Sequence, residues 1–282
     1  MKKIGIITKR GVPEAVKAVK NLLPLLKKKG FEVLIESETA SALKMKGCPR
    51  QELPLLADML MVLGGDGTLL NVAGLVGDKE VPILGVNLGG LGFITEITSN
   101  EIQDSINKIA AGRYDLEERI MLSADVYRSK KYVFKASALN DVVIHKSALA
   151  RMIEFEVYVN NRYVTTLKAD GLIISTPTGS TAHSLSAGGP ILYPTLGAFV
   201  LTPICPHTLT NRPVVLPDSF NLEVIIKTGD EVYLTIDGQR GIPLIANDVI
   251  KAKKAGYKTK FIRLSGRDYF QILRTKLKWG ER

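Results

Sequence analysis

The sequence predicts an α/β N-terminal domain built on a parallel sheet, then a β-rich sandwich C-terminal domain, then a C-terminal helix docking back on the body. Three observations carry that expectation. Short apolar runs alternate with amphipathic stretches through the first third, β-type runs crowd the middle, and the final segment spaces its large apolar residues as a helix does.

The early apolar runs cover residues 4–7, 31–35, 59–63 and 81–86, with residues 12–29 at helical spacing between the first two. Such alternation gives parallel strands joined by crossover helices, and ligands then sit at the carboxyl ends of the strands. From residue 121 the runs are short and closely spaced: 121–127, 132–138, 153–159, 163–167, 172–175, 222–226 and 232–236, with a turn at Asn160-Asn161. Strands of that length and density suit a sandwich. Between residues 267 and 279, Tyr269, Phe270, Ile272, Leu273, Leu277 and Trp279 form the stripe of a docking helix. The expected domains are 1–120, 121–265 and 266–282, the last packing on the first, with no internal repeat or low-complexity linker.

At 282 residues and 45% apolar content, the chain is long enough to bury real cores in one large or two modest domains. Its 38 Lys and Arg against 28 Asp and Glu leave a net +10, which suits polyanionic partners. The basic residues are scattered apart from Lys27-Lys28-Lys29 and residues 251–260, and aromatics are few, which favours small polyanionic substrates over nucleic acid. Cys48 and Cys205 lack the spacing of a disulfide framework or a cysteine zinc site. The N-terminus turns polar before a signal-peptide core forms, and no apolar run reaches membrane-spanning length. A cytoplasmic protein with no membrane partner is therefore expected.

Gly64-Gly65-Asp66-Gly67-Thr68 directly follows the run 59–63. A strand that stops in a glycine turn leaves N–H groups free to approach phosphate oxygens, with the acid in the same crevice. Thr68 adds a hydroxyl, and Leu69-Leu70 resume a helix pattern whose N-terminus favours anions. Alone, the turn reads equally as phosphoryl chemistry or as a tight bend that needs glycine. Asn87-Leu88-Gly89-Gly90-Leu91-Gly92-Phe93 follows another strand end, and is either a close-packed connection or a substrate contact in which Phe93 stacks on a base. Further on, a buried run leads into Ser175-Thr176-Pro177-Thr178-Gly179-Ser180-Thr181-Ala182-His183-Ser184-Leu185-Ser186, whose small residues and hydroxyl donors suit a closely held polar ligand. Cys205 and His207 sit in a proline-bounded turn with no histidine partner at metal spacing, and read as structural.

The hydroxyl-rich run together with the Gly64 to Thr68 turn resembles the NAD kinase family. The glycine-aspartate-glycine turn is shared with the wider superfamily of diacylglycerol, sphingosine and 6-phosphofructo-kinases, whereas the Thr176 to Ala182 run is much more particular to NAD kinases. The likeness extends to residues 85–97, Leu139-Asn140-Asp141, residues 203–209, Ile236-Asp237-Gly238-Gln239 and Arg267-Asp268-Tyr269-Phe270. It implies transfer of the γ-phosphoryl group of ATP, or of polyphosphate in some members, to the adenosine 2′-hydroxyl of NAD, giving NADP. It also implies a divalent metal, usually magnesium, and a homodimer or homotetramer.

By this resemblance Asp66 is the general base toward the 2′-hydroxyl, and Gly67 belongs to the phosphate-binding turn. Asn140 and Asp141 match an asparagine-glutamate pair on the ribose and nicotinamide side, the acid here one methylene shorter. Asp170 matches a carboxylate facing the nicotinamide end, and Lys168 stands where many bacterial members have arginine, keeping the charge without the planar fork. Thr178, Thr181, Ala182 and Ser186 match positions lining the adenosine and nicotinamide sub-sites, with Ser184 and Leu185 in the same run. His183 replaces the family's usual tyrosine, so stacking falls to imidazole, and NAD binding is expected either to weaken or to become pH-sensitive near the ordinary imidazole pKa of roughly 6.5. Arg151 and Gln239 fall at the spacing of further ligand contacts, and Asp237 begins a shared turn that by itself is a hairpin signal. No protein ligand to a metal is expected. The competing readings are a catalytically inactive pyridine-nucleotide-binding regulator, a lipid or sugar kinase sharing the glycine turn, and a basic nucleic-acid binder. The polarity of residues 176–186 argues against an acyl pocket, and Asp66 favours an enzyme.

Overall fold

The chain opens with β1 (Lys3–Thr8), α1 (Pro13–Lys28), β2 (Glu32–Ile35), the short helices α2 (Ser37–Ala42) and α3 (Leu53–Leu56), β3 (Met59–Leu63), α4 (Asp66–Val76), β4 (Ile83–Asn87), β5 (Ile97–Thr98) and α5 (Ile102–Ala110). The computed structural model describes every residue except Met1, Leu91, Leu209, Gly229, Asp230, Ser265, Arg267, Gly280, Glu281 and Arg282, so the motif residues Leu91, Leu209 and Arg267 lie outside the described residues. Two units form, Met1–Glu118 with Thr259–Arg282, and Arg119–Lys258.

In the first unit, β3 and β4 are buried along their whole length, and β1 along all but its first residue. Successive side chains point to opposite faces, so both faces of these strands are covered, as in a parallel sheet between helices. The order is β2-β1-β3-β4, all parallel, with Thr8 opposite Leu63 and Leu63 opposite Val86. Helix α1 starts on Pro13, whose fixed φ and missing N–H suit a first turn, and buries Ala15, Val19, Leu22, Leu23 and Leu26 at three- and four-residue spacing. Lys27 and Lys28 complement its C-terminal dipole, and Gly30 takes the left-handed φ of 81° that releases the chain into β2. From β1 the chain crosses toward β2, whereas from β3 it crosses the other way toward β4. The sheet therefore has a topological switch point between β1 and β3.

The second unit follows with β6 (Asp115–Arg128), β7 (Lys131–Ala138), β8 (Asp141–Lys146), β9 (Ile153–Val159), β10 (Arg162–Ala169), β11 (Gly171–Ser175), a 3-10 turn (Thr178–Thr181), α6 (His183–Ser186), β12 (Ala198–Ile204), β13 (Val214–Pro217), β14 (Leu222–Thr228), β15 (Val232–Ile236), β16 (Arg240–Leu244) and β17 (Val249–Arg263). One antiparallel sheet runs β13-β12-β11-β8-β15-β16. A second runs β10-β9-β14-β17, with β6 beside β17 and β7. Phe155, Val224 and Ile250 from one sheet share a core with Ile144, Phe199 and Leu234 from the other, which is an antiparallel sandwich. Phe155 and Phe199 are wholly buried, each contributing about 2–3 kcal/mol relative to exposure.

Strands β8, β12, β13, β16 and β17 are absent from the sequence reading; three of them, β12, β13 and β16, contain Pro203, Pro217 and Pro243. Two of the three, β13 and β16, are edge strands, where a missing N–H is tolerated. The lysines of residues 251–260 lie on β17, where buried Ile250, Ala252 and Ala255 set the inner face. Lys251 pairs with Glu223 at 3.1 Å and Lys254 with Asp218 at 2.6 Å, so these two charges meet neighbouring acids.

The last helix, α7 (Tyr269–Leu277), is N-capped by Asp268, which accepts the N–H of Gln271 at 2.7 Å. It buries Tyr269, Ile272 and Leu273. Phe270 is 55% exposed and Trp279 50%, which corrects the stripe read from sequence. Phe270 is one residue, some 100°, off the buried face, and Trp279 lies past Leu277, where Lys278 has turned left-handed. No helix among the described residues is long and apolar enough to cross a membrane.

Candidate active site

β3 ends at Leu63, and the Gly64 N–H donates to the Val86 carbonyl at 2.9 Å, fixing the turn against β4. Helix α4 begins at once on Asp66. The Asp66 carboxylate accepts three main-chain N–H groups, Phe93 at 2.8 Å, Ile94 at 3.2 Å and Thr95 at 3.3 Å. Acid and second glycine-rich stretch are thus one structure. A Cβ at Gly92 would overlap Asp66 Oδ1, so the loop closes on the carboxylate only with glycine there. Thr95 Oγ1 braces the same loop, accepting the Gly92 N–H at 2.8 Å and the Asn87 side-chain amide at 3.3 Å. An ionised carboxylate has about four lone-pair sites; with three engaged, one is left for a proton. Gly67 is exposed beside it, and Phe93 is half-buried, its observed contact being the main-chain N–H.

In the second unit, Asp237 organises the turn that bears Asn140 and Asp141. Its carboxylate accepts the N–H groups of Leu139 at 2.9 Å, Asn140 at 2.8 Å and Asp141 at 3.1 Å. Burial pushes the Asp237 carboxyl up to about 6, against the three N–H groups that favour its charge, and the Asp141 carboxylate adds to the rise. Asp141 is 1% exposed, and His183 Nδ1 lies 3.3 and 3.2 Å from its two oxygens. This hydrogen bond raises the His183 imidazole above its ordinary value, with desolvation opposing. Asn140 Oδ1 is buried without a hydrogen-bond partner, a costly state in isolation.

The hydroxyl-rich loop is braced onto that turn. Thr176 N–H donates to the Asn140 carbonyl at 2.8 Å, Thr176 Oγ1 to the Leu139 carbonyl at 2.5 Å, and a Cβ on Gly179 would overlap the Asn140 main chain. Ser180 donates to the Pro177 carbonyl at 2.7 Å, and wholly buried Ser184 pairs with Thr202 at 2.9 Å. These hydroxyls hold the loop together. Thr181 and Ala182 are half-buried, Leu185 likewise, and His183 and Ser186 are exposed. Buried Thr178 accepts from Arg119 Nη1 at 3.1 Å. Sequence reasoning passed over Arg119, which is 4% exposed; in the sequence it is the last of three successive charges, Glu117-Glu118-Arg119, before the apolar run of β6.

Arg151, Lys168 and Asp170 line another cavity, of about 660 Å³, where Asp170 Oδ1 lies 3.8 Å from Lys146 Nζ. Among the described residues no hydrogen bond joins them to the Asp141–His183 pair. Gln239 is exposed on the β15–β16 hairpin, its N–H closing the turn onto Ile236 at 2.9 Å after Asp237 and Gly238, both with positive φ. Among the described residues no group of three or more His, Cys, Asp or Glu side chains is placed to hold a metal ion.

A parallel sheet ending in a glycine-flanked acid, with a sandwich bearing a polar loop and an orphaned asparagine oxygen, defines a phosphotransferase of the kinase class. The chain matches the ATP-NAD kinase N-terminal domain over residues 4–114 and the ATP-NAD kinase C-terminal domain over residues 139–264. It is 49% identical over 283 residues to the NAD kinase of Geobacter metallireducens, covering 100% of both chains. Among solved structures it is similar to yeast NADH kinase complexed with NADH, with a TM-score of 0.92 and 25% identity over 100% of this chain and 89% of that one. It shares its fold with an NAD kinase from Archaeoglobus fulgidus in complex with ATP, at a TM-score of 0.79 and 24% identity over 98% of each. The chain belongs to the NAD kinase family.

Proposed function

We propose that the chain transfers the terminal phosphoryl group of ATP, or of polyphosphate, to the adenosine 2′-hydroxyl of NAD, giving NADP. The observation that carries this reading is the Asp66 carboxylate, fixed by three N–H groups at the carboxyl end of β3 with one lone-pair site left over. In the reaction the 2′-oxygen forms a bond to the terminal phosphorus as the bond to the bridging oxygen breaks. The shortened donor, ADP in the case of ATP, departs with that electron pair. Asp66 takes the hydroxyl proton and later yields it to solvent. The N-terminal end of α4, which begins at Asp66, favours the charge on the phosphate oxygens.

The nucleotide acceptor is assigned to Asn140, whose unpaired Oδ1 asks for a donor, with Asp141, His183, Thr178, Thr181, Ala182, Leu185 and Ser186, while Ser184 and Asp237 hold that surface in place. Arg151, Lys168, Asp170 and Gln239 are read as outlying contacts. A divalent cation, magnesium in this reading, fits as one held mainly by the donor's phosphates and water, because the described residues make no cage for it and Asp66 is the acid of the turn. Bound there, it would neutralise phosphate charge. Family membership supports a homodimer or homotetramer, and the unpaired Cys48 and Cys205 suit a reducing cytoplasm.

The test is incubation with NAD, a divalent cation and either ATP or polyphosphate, NADP being read with a dehydrogenase specific for it. NADP is expected with at least one donor; none with either would overturn the proposal.

A further inference from the structure

The loop that grips Asp66 leaves β4 at its last residue, Asn87, and rejoins the same strand where β5 pairs with it, Ile97 opposite Val86. At the departure, Asn87 Oδ1 accepts the Gly89 N–H at 2.9 Å, and the Asn87 amide donates to Thr95 Oγ1 at 3.3 Å, which closes the neck of the loop. At the return stands Glu96, whose N–H donates to the Gly85 carbonyl at 3.0 Å.

Glu96 is 4% exposed, and the phosphoryl transfer assigns its carboxylate no part. One of its oxygens accepts Arg263 Nη1 at 2.5 Å and the other the Leu264 N–H at 2.8 Å, both where β17 ends. That end of β17 lies against β4, with Phe261 opposite Ile83. Arg263 is aligned by a second acid, its Nε standing 3.6 Å from Glu117 Oε2. Lys260, on the same stretch of β17, engages Glu80 at 2.7 Å, beyond the end of the helix that starts at Asp66. All these residues belong to the first unit.

A buried carboxylate is costly unless it is paired and hydrogen-bonded. Glu96 is both, so the exit of the loop is held in one place. Thr95, the residue before it, supplies one of the three N–H groups that hold Asp66, and Ile94 and Phe93 supply the others. A shift at Glu96 thus reaches the acid through a short run of chain, and a misplacement of about 1 Å at a reacting group costs about a hundredfold in rate.

We propose that Glu96 and Arg263 are positioning residues for the phosphoryl transfer, their ion pair fixing the place of the Asp66 carboxylate through the segment from Phe93 to Thr95. This rests on the phosphotransferase reading above and adds to it two residues that touch no reacting atom.

Glu96→Gln keeps the shape and the acceptor for the Leu264 N–H but turns an NH2 group on Arg263. Its kcat is expected to fall about tenfold to a hundredfold, with the KM for NAD and for the donor each within about twofold, because the acid is displaced and the binding surfaces are not. In an Asp66→Asn background the same change should alter kcat by less than about twofold, since the base it positions is gone. Amide hydrogen exchange needs no turnover: the peptide holding Phe93, Ile94 and Thr95 should exchange about tenfold faster in Glu96→Gln, with β9 of the sandwich exchanging as in wild type. Arg263→Lys keeps the charge without the planar fork and should lower kcat and speed that exchange about threefold. Being the milder change, it carries the same measurements where Glu96→Gln gives no folded protein. Unaltered kcat, an equal fall of kcat in both backgrounds, or unaltered exchange at residues 93–95 overturns the proposal. Failure of the wild type to form NADP overturns the phosphotransferase reading and this proposal with it, whereas failure confined to the variants' predicted behaviour leaves that reading intact.

Discussion

The Asp66 carboxylate and the main-chain N–H of Phe93 stand 2.8 Å apart, so the acid of one glycine-rich turn is the anchor of the other. Two segments that read as separate motifs are a single device. A carboxylate used in this way has both a structural and a chemical claim on position 66, and the two claims separate experimentally.

Asp66→Asn keeps the size and one acceptor oxygen but turns an NH2 group toward N–H donors and cannot take a proton. Turnover is expected to fall by about 10²–10⁴, the range for loss of a general base, with the KM for NAD within about threefold. Steady-state kinetics with NAD varied check this. A parallel loss of NAD affinity would make the residue structural.

Gly92→Ala probes the same joint from the other side. The new Cβ would press on Asp66 Oδ1 and stand 2.7 Å from Thr95 Oγ1, so loop or acid must move. A stability loss of about 1–3 kcal/mol is expected by urea unfolding. Turnover should fall with it even though no reacting group is altered.

His183 gives the pH dependence. Its folded pKa is raised by Asp141, so the pair's contribution to stability is fully present below the unfolded value of 6.5 and is lost as pH rises through the folded value. Below that point the imidazolium pairs with the Asp141 carboxylate as an ion; above it the ring is neutral and holds that carboxylate less tightly. The KM for NAD is expected to be a few-fold lower at pH 8 than at pH 6, and His183→Gln should flatten the profile. A flat wild-type profile would reject the mechanism.

Asp237 works in the opposite sense to a salt-bridged acid. Its pKa rises from 3.8 to about 6 on folding, so the folded state binds the proton more tightly and stability declines as pH climbs between those values. Asp237→Asn lacks that decline. The stability advantage of wild type over the variant should therefore shrink by roughly 2 kcal/mol between pH 4 and pH 7, an order-of-magnitude figure at 1.36 kcal/mol per unit, measurable by urea unfolding at each pH.

The parallel sheet was legible because β1, β3 and β4 are covered on both faces and so read as continuous apolar runs. The sandwich was legible where β9, β14 and β15 alternate, and not at β8, at lysine-rich β17, or where proline falls in β12, β13 and β16. At the site, the Gly64–Thr68 turn and residues 176–186 stand out by composition. The partners of those residues do not: that Phe93 to Thr95 close on Asp66, or that Asp237 caps the 139–141 turn, depends on contacts across 27 to 98 residues of sequence, which no local pattern encodes. Arg119 and Arg263 were missed for the same reason, each a single arginine whose meaning lies in a distant oxygen.

Trp279 is the chain's single tryptophan, and it stands half exposed just beyond α7. The sandwich is optically silent at tryptophan wavelengths, its aromatic light coming from tyrosines such as Tyr127 and Tyr158. Emission above the tyrosine band is thus a lamp fixed to the end of the first unit alone. A melt followed by that emission and one followed by far-ultraviolet circular dichroism share a midpoint only if the two units unfold together, so the comparison measures their cooperativity without any added label.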